Sequence, residues 1–331
     1  MVQASLSRRL SAVLGLASLL AYGLVPARAE GPVDYPTRPV RLVVGFAAGG
    51  GNDILARVLG EKLATRLGQP VVVENKPGAG GVLAATSVMR EPPDGYTLLV
   101  GASGAMSIAP AVYTRMNYET LKNFAPVSLF GTYPLILVVG GETAFRSVAE
   151  FIDWTKANAS KGNYATSSPS FTLATELFKM KTGADLQRVT YRSSNDAVVS
   201  VLGKQTTATL VETLPAMSLV QDGKLRALAT TATARLPELP DVPTMAEAGI
   251  PGMEVTLWTG LFAPAGTPPA IIAKLEDACR KILTEPDVRE RLRSLSTDAV
   301  GSSAGEFAAR IASDIQAWTA VAKAADVKID P

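Results

Sequence analysis

The sequence has no histidine and only one cysteine, Cys279, among its 331 residues. Without histidine, the chain can form neither a Ser-His-Asp nor a Cys-His triad, and it has no histidine base or metal ligand. A single cysteine cannot make an intramolecular disulfide, a zinc cluster of cysteines or an iron–sulfur site. We therefore expect no metal site and no cofactor.

A surplus of basic charge is also missing. The 32 lysines and arginines nearly balance the 30 acidic residues, which gives a formal net charge of +2. The charge pattern of a nucleic-acid-binding protein is absent, so we expect no nucleic-acid partner. Apolar residues make up 47% of the chain and charged residues 19%, an ordinary globular balance at a length that suits two domains.

Residues 1–29 have the pattern of a cleavable signal peptide. Arg8 and Arg9 precede an apolar segment at 10–25, and a small-x-small motif ends at Ala29. Cleavage after Ala29 removes three arginines and no acid, which leaves 302 residues with 29 basic and 30 acidic side chains. We expect a periplasmic protein, because no later stretch has the length and apolarity of a membrane span. An uncleaved anchor helix is the alternative.

After the signal, short β-rich runs alternate with helical patterns. Strands are predicted at 40–46, 71–73 and 96–100, with helices at 54–67 and 81–89 between them. Asn52 or Asp53 is predicted to cap the first helix, and Gly68 to end it. This β-α-β-α-β order is typical of a doubly wound α/β layer.

A second unit of the same kind follows. Ser147 and Glu150 have the spacing of a capping box. Strands are predicted at 135–139, near 164, and at 189–191, 225–231 and 255–262, and helices at 148–157, 173–181, 196–202, 269–283 and 304–324. The spacing of Cys279 relative to its apolar helical neighbours places it in the core, whereas Trp258 lies in the core or borders a cleft.

Several long motifs occur in an order that resembles a known family. They are YPTRPVRLVV at 35–44, LGQPVVVENKPGAGG at 67–81, PDGYTLL at 93–99, GKLRALA at 223–229, PDVPT at 240–244 and GLFAPAGTP at 260–268. They resemble the Bug receptors, the periplasmic substrate-binding proteins of tripartite tricarboxylate transport systems. The likeness extends through the whole chain after the signal.

The resemblance implies an α/β fold of two lobes, a Venus-flytrap binding protein of the type II-like class with a hinge and an interlobe cleft. Lobe 1 would comprise 30–131 plus 255–331, and lobe 2 would comprise 132–254. We place the crossings between lobes near 130–133 and 232–254. Two crossing segments form a hinge, and hinge bending closes the cleft around a ligand.

Two candidate ligand-binding segments lie in lobe 1. The first is the glycine-rich loop between a strand and a helix, where glycines allow close approach and the helix start suits an anion. The resemblance implies that this loop holds a ligand carboxylate through backbone groups and water, although Ala47 and Ala48 replace the family's usual prolines. The second segment is the turn after the strand at 96–100. The alternative for both is a purely structural turn. The candidate residues are Phe46, Gly49, Gly50, Gly51, Asp53, Ser103 and Gly104.

A hydroxyl-rich segment before a helix is the first candidate in lobe 2. Ser167, Ser168 and Thr172 could contact a ligand, or they could simply cap the helix. Related receptors have a longer loop here, often with a histidine where this chain has Thr172. This departure puts the family's usual contacts in doubt.

Two further candidates in lobe 2 carry charge. Arg192, followed by Ser193, could clamp a carboxylate through two hydrogen bonds, or it could be a solvated or salt-bridged surface arginine. Glu212 could recognise an ammonium or hydroxyl group of the ligand, or cap a helix.

We expect a monomeric, non-enzymatic receptor that captures a small organic carboxylate for a membrane permease of the tripartite tricarboxylate type. The first alternative is an exported α/β enzyme that uses Asp53, Glu212 or Arg192 in the cleft. The second is a ligand sensor that reports to a membrane signalling protein.

Overall fold

The computed structural model describes residues 34–159 and 161–329, and its compact unit begins at Tyr35. The predicted signal peptide and its cleavage site lie outside the described residues. None of the helices in the described part of the chain is both long and apolar enough to cross a membrane.

Ten strands of the described residues form one continuous sheet in the order β2-β1-β3-β9-β4-β7-β5-β6, with β8 and β10 each pairing with β4. β1, β2 and β3 are mutually parallel, and so are β5, β6 and β7. The strands are β1 Val40–Val44, β2 Val71–Asn75, β3 Thr97–Ala102, β4 Phe124–Gly140, β5 Asn163–Thr166, β6 Gln187–Thr190, β7 Ala208–Glu212, β8 Leu225–Thr230, β9 Thr256–Pro264 and β10 Asp298–Ala299.

Helices cover the sheet and fill the connections between parallel strands. A short 3₁₀ turn at Ala79–Gly81 and a π-helical turn at Gly104–Ile108 each lead into a helix. The α-helices are α1 Gly51–Leu67, α2 Val82–Val88, α3 Ala109–Val112, α4 Thr120–Asn123, α5 Val148–Ala157, α6 Pro169–Thr182, α7 Ser194–Leu202, α8 Met217–Gln221, α9 Pro269–Leu283, α10 Pro286–Arg293 and α11 Ala304–Ala324.

The long strand β4 joins two lobes. Its first part pairs with β9 as far as Pro134, and from Leu135 onward it pairs with β7 and β8. The chain returns to the first lobe between the end of β8 and the start of β9. The protein therefore has the two-lobed α/β fold of a binding protein. The predicted residue boundaries at 131 and 255 stay a prediction, close to where the strand pairing changes.

The first lobe is built around the apolar face of α1. Leu55, Leu59 and Leu63 are at most 4% exposed, and burial of each such side chain contributes about 1.5–3 kcal/mol. Gly68 ends α1 as predicted, with a φ of 70° that favours glycine. The predicted start of α1 is wrong, because the helix begins at Gly51 with Gly50 as its N-cap.

The second lobe confirms the helix predicted at 148–157. The Ser147 hydroxyl accepts a hydrogen bond from the Glu150 N–H at 3.2 Å, which caps α5. The Glu150 carboxylate turns back to the Arg146 N–H at 2.6 Å rather than to Ser147, so only one half of the predicted capping box forms as expected.

Candidate functional site

The candidate site lies where the carboxyl ends of two sets of parallel strands meet. The loops after β1, β2 and β3 leave one edge of lobe 1, and those after β5, β6 and β7 leave one edge of lobe 2. A methyl group added at Gly104 of lobe 1 would stand 3.0 Å from the Ser170 Oγ of lobe 2, so the two edges touch. Ligands of open α/β sheets bind at such edges.

Asp53 fixes the β1–α1 loop from beneath. Its Oδ2 accepts hydrogen bonds from the Gly49 N–H at 2.8 Å and from Arg57 Nε at 3.0 Å. Its Oδ1 accepts from Asn75 Nδ2 at 2.9 Å, and the same amide also donates to the Phe46 carbonyl at 3.0 Å. Strand β2 therefore holds the loop through Asn75, and the loop and α1 are locked together through Asp53.

Asp53 is 2% exposed, and the Gly49 N–H, Arg57 and Asn75 all donate to its carboxylate. Burial opposes its ionisation, but the hydrogen bonds from Arg57, Gly49 and Asn75 outweigh burial and hold its pKa below the ordinary aspartate value. Both carboxylate oxygens have partners inside the loop network. The geometry therefore gives Asp53 a positioning role beneath the loop, and its predicted contact with a ligand stays a prediction.

The upper side of the same loop is open. Residues 47–51 are exposed, and Gly49 has a φ of 82°, which glycine adopts without strain. Phe46 is partly buried, with its ring against Gly81. The loop thus presents the backbone N–H of Gly51 at the start of α1, where the helix dipole favours an anion. The Gly50 N–H donates to the Ala47 carbonyl at 3.3 Å within the loop.

The turn after β3 is tied to the neighbouring strand. Ser103 is 1% exposed, and its Oγ accepts a hydrogen bond from the Trp258 N–H at 3.2 Å. Thr259, the next residue of β9, donates to Asn52 Oδ1 at 2.5 Å. The β1–α1 loop and the Ser103–Gly104 turn therefore share β9 as a common support, which brings the two predicted lobe 1 segments together.

In lobe 2, the predicted hydroxyl-rich segment caps the helix that follows it. Ser168 Oγ accepts from the Phe171 N–H at 3.4 Å at the start of α6. Thr172 is 3% exposed, and its hydroxyl bonds to the Ser168 carbonyl and to Thr166 Oγ1, each at 3.1 Å. Thr172 therefore faces the interior of lobe 2 rather than the edge.

Two other predicted hydroxyls differ in position. Ser193 caps α7 by accepting from the Asp196 N–H at 3.1 Å. Ser167, after β5, lies 3.4 Å from Ser194 Oγ, so the loops after β5 and β6 meet at this point.

Arg192 does not lie with these serine hydroxyl groups. Its side chain is 93% exposed and forms an ion pair with Asp196 at 3.5 Å, one helical turn further along the chain. This arrangement matches the surface-arginine alternative, and the role of Arg192 in binding stays a prediction.

Glu212 is the last residue of β7, so it ends a strand and does not cap a helix. The residue is partly exposed, yet its Oε2 is shielded from solvent and has no hydrogen-bond partner among the described residues. Burial raises the pKa of Glu212, although a hydrogen bond from Ser194 opposes the shift. Tyr133, in the crossing part of β4, is close enough that burial and then the Glu212 charge raise its pKa.

A comparison with protein-family models matches residues 55–327 to the tripartite tricarboxylate transporter family receptor. The match covers most of the chain and includes both lobes. The protein belongs to this receptor family. Protein BugT of Bordetella pertussis is 35% identical over 325 residues, which cover 97% of this chain and 98% of BugT.

Solved structures agree with this assignment. Rpa4515 of R. palustris, determined with adipate, has a TM-score of 0.82 and 33% identity over 89% of this chain and 99% of its own. The periplasmic binding protein BugD has a TM-score of 0.78 and 34% identity over 89% of this chain and 99% of its own. The predicted fold class and family are confirmed.

Four residues of the described site were not predicted from the sequence. Asn75 lies inside the motif at 67–81, so its position was marked but its bond to Asp53 was not. Ser170, Ser194 and Tyr133 approach the site only through the fold, because they lie in three different elements, α6, α7 and β4. Among the described residues, no group of three or more histidine, cysteine or acidic side chains is arranged to hold a metal ion.

The core position predicted for Cys279 is confirmed, and of the two alternatives for Trp258 the structure shows the core. Cys279 is fully buried, and burial raises the pKa of its thiol to about 12. Trp258 is also fully buried, and its Nε1 donates to Asp314 Oδ2 at 2.6 Å. Its side chain therefore packs in lobe 1, while only its backbone N–H reaches the Ser103 turn.

Proposed function

We propose that the protein is a periplasmic solute receptor that captures a small organic carboxylate between its lobes and presents it to a tripartite tricarboxylate-type permease. The observation that carries this proposal is the convergence of the β1–α1 loop and the Ser103–Gly104 turn opposite lobe 2. The family assignment and the adipate-bound relative Rpa4515 support the same ligand class.

The loop chemistry suits a carboxylate. The backbone N–H of Gly51 lies at the positive end of α1, a helix of 17 residues. A carboxylate bound there accepts hydrogen bonds directly or through ordered water, and hinge bending then brings lobe 2 over it. This mode of action requires no covalent chemistry, so the proposal includes no catalytic residue.

We also propose export by the signal at 1–29, cleavage after Ala29 and action as a monomer. N-terminal sequencing of protein from the periplasmic fraction tests the cleavage, and a mature chain that begins at Glu30 is the expected result. Light scattering of the same material tests the monomer.

A thermal-shift screen tests the binding function. The panel contains C4 to C6 dicarboxylates, hydroxy acids, amino acids and aromatic acids, each with the matching amide as control. A ligand at 100 times its Kd stabilises the folded protein by about 2.7 kcal/mol, and Tm rises by about 2 °C for each kcal/mol in a chain of this size. A rise with an acid and none with its amide supports the proposal. Binding of the amide as tightly as the acid contradicts it.

A further inference from the structure

The position of Glu212 sets it apart from the other carboxylates of lobe 2. It ends β7 opposite Leu135, the residue at which β4 changes partner from the first lobe to the second. Ser194 lies close enough to Glu212 to lower its pKa, and its hydroxyl meets that of Ser167 at 3.4 Å. Glu212 therefore lies at the carboxyl edge of lobe 2, beside the crossing between lobes.

The carboxyl group is incompletely paired. Oε2 is shielded from solvent and has no hydrogen-bond partner in the described part of the chain. No ion pair with lysine or arginine is formed by Glu212 within the described residues. Leaving a shielded polar atom without a partner destabilises the fold, and more so when the atom is charged. Such atoms are few in native proteins, and each one calls for an explanation such as a functional role or a bound water or ion.

Other shielded atoms without partners are less well placed. Glu238 accepts from Ser296 through its second oxygen at 3.2 Å, outside the loops that follow the parallel strands. Thr86 lies within α2, and Thr213 directly follows Glu212. Among the described carboxyl groups, Glu212 alone combines a shielded, unpaired oxygen with a position at the edge where the lobes meet.

We propose that the carboxyl group of Glu212, a partly exposed residue, accepts a hydrogen bond from the bound ligand, so that this receptor selects carboxylates carrying a hydroxyl or ammonium group on the part facing lobe 2. This inference rests on the proposed function, which places the ligand carboxylate on lobe 1. Burial raises the pKa of Glu212 and favours its neutral form, whereas a donor from the ligand favours the ionised carboxylate, which only accepts hydrogen bonds. An ammonium group supplies a donor and also offsets the charge, whereas a bare carboxylate or methyl group supplies neither.

Matched triplets of acids test this selectivity by isothermal titration calorimetry. One triplet is butyrate, 4-hydroxybutyrate and 4-aminobutyrate, and another is succinate, malate and aspartate, each with its five- and six-carbon counterparts. Glu212→Gln keeps the shape and removes the charge. Glu142→Gln is the matched control, because it removes the same charge from lobe 2 at a side chain that is 84% exposed.

In the wild-type protein, the hydroxyl or amino member of a triplet should bind at least tenfold more tightly than the unsubstituted member. Glu212→Gln should weaken an amino acid tenfold or more and a hydroxy acid by less, since the glutamine carbonyl still accepts from a hydroxyl. Glu142→Gln should change neither affinity. The wild-type comparison decides the proposal even if Glu212→Gln fails to fold.

Two results overturn the inference. If unsubstituted acids bind as tightly as their substituted partners, the protein is still a carboxylate receptor, but Glu212 does not select its ligand. Tighter binding of dicarboxylates by Glu212→Gln would mean that Glu212 repels the ligand. If no acid of any triplet binds, the proposed function fails first and the inference falls with it.

Discussion

The conformation of the β1–α1 loop should depend on the charge of Asp53, and Asp53→Asn tests this with little change in shape. The asparagine amide keeps one acceptor oxygen but turns an NH₂ group toward a donor, Arg57 or Asn75, so at least one charge-assisted hydrogen bond is lost. Hydrogen bonds to charged groups contribute about 1.5–3 kcal/mol, so we expect the free energy of unfolding to fall by about 2 kcal/mol.

Urea unfolding and differential scanning calorimetry at pH 7 measure this loss. The variant should unfold about 4 °C lower, at about 2 °C for each kcal/mol. Asp222→Asn is the matched control, because its carboxylate is 58% exposed and pairs with Lys224 at the surface. Such surface pairs contribute about 0–1 kcal/mol, so the control should unfold close to the wild type.

The difference between wild type and Asp53→Asn should also depend on pH. The pKa of Asp53 is lower in the folded protein than in the unfolded chain, so the ionised carboxylate stabilises the fold. That contribution is complete above the unfolded pKa of about 3.9 and is lost as the pH falls through the folded pKa. Two results would refute the stabilising role of Asp53. One is an equal free energy of unfolding for wild type and variant at pH 7, and the other is a difference between them that does not shrink below pH 4.

Three further substitutions address the remaining contacts. Gly104→Val should push against Ser170 and hinder closure at a cost of about 1–3 kcal/mol, which lowers affinity for a confirmed ligand by about tenfold. An unchanged Kd would show that this contact does not govern closure. Ser103→Ala should lower the urea-derived free energy of unfolding by about 1–3 kcal/mol because the buried Trp258 N–H loses its acceptor, and a stability equal to wild type would contradict that contact. Arg192→Ala should leave ligand affinity within twofold, since the side chain points to solvent; a large loss measured by calorimetry would return Arg192 to the site.

Local patterns predicted the elements well. The helices expected at 148–157, 269–283 and 304–324 have those bounds in the structure, because capping residues and the spacing of apolar side chains act within a few turns. The long motifs at 35–44 and 67–81 were enough to identify the family. These signals are all readable from neighbouring residues.

Elements defined by distant partners were missed or shortened. β4 begins at Phe124 rather than near 135, because its first half is a strand only through pairing with β9. The helix Pro286–Arg293 was not predicted, since it buries only Val288 and Leu292. Glu212 was considered only for its charge, and the strand that it ends, Ala208–Glu212, depends on pairing with β4 and β5.

The sequence by itself determined the glycine-rich loops, which depend on local composition, and the family, which depends on motif order. The two-lobed α/β class followed from the resemblance to that family. Only the tertiary structure decided what each polar side chain does. The Asp53 carboxylate in α1 accepts a hydrogen bond from Asn75 at the end of β2, and Gly104 of lobe 1 lies against Ser170 of lobe 2. Burial and pairing of a polar group are properties of its three-dimensional neighbours, and residue order alone does not specify them.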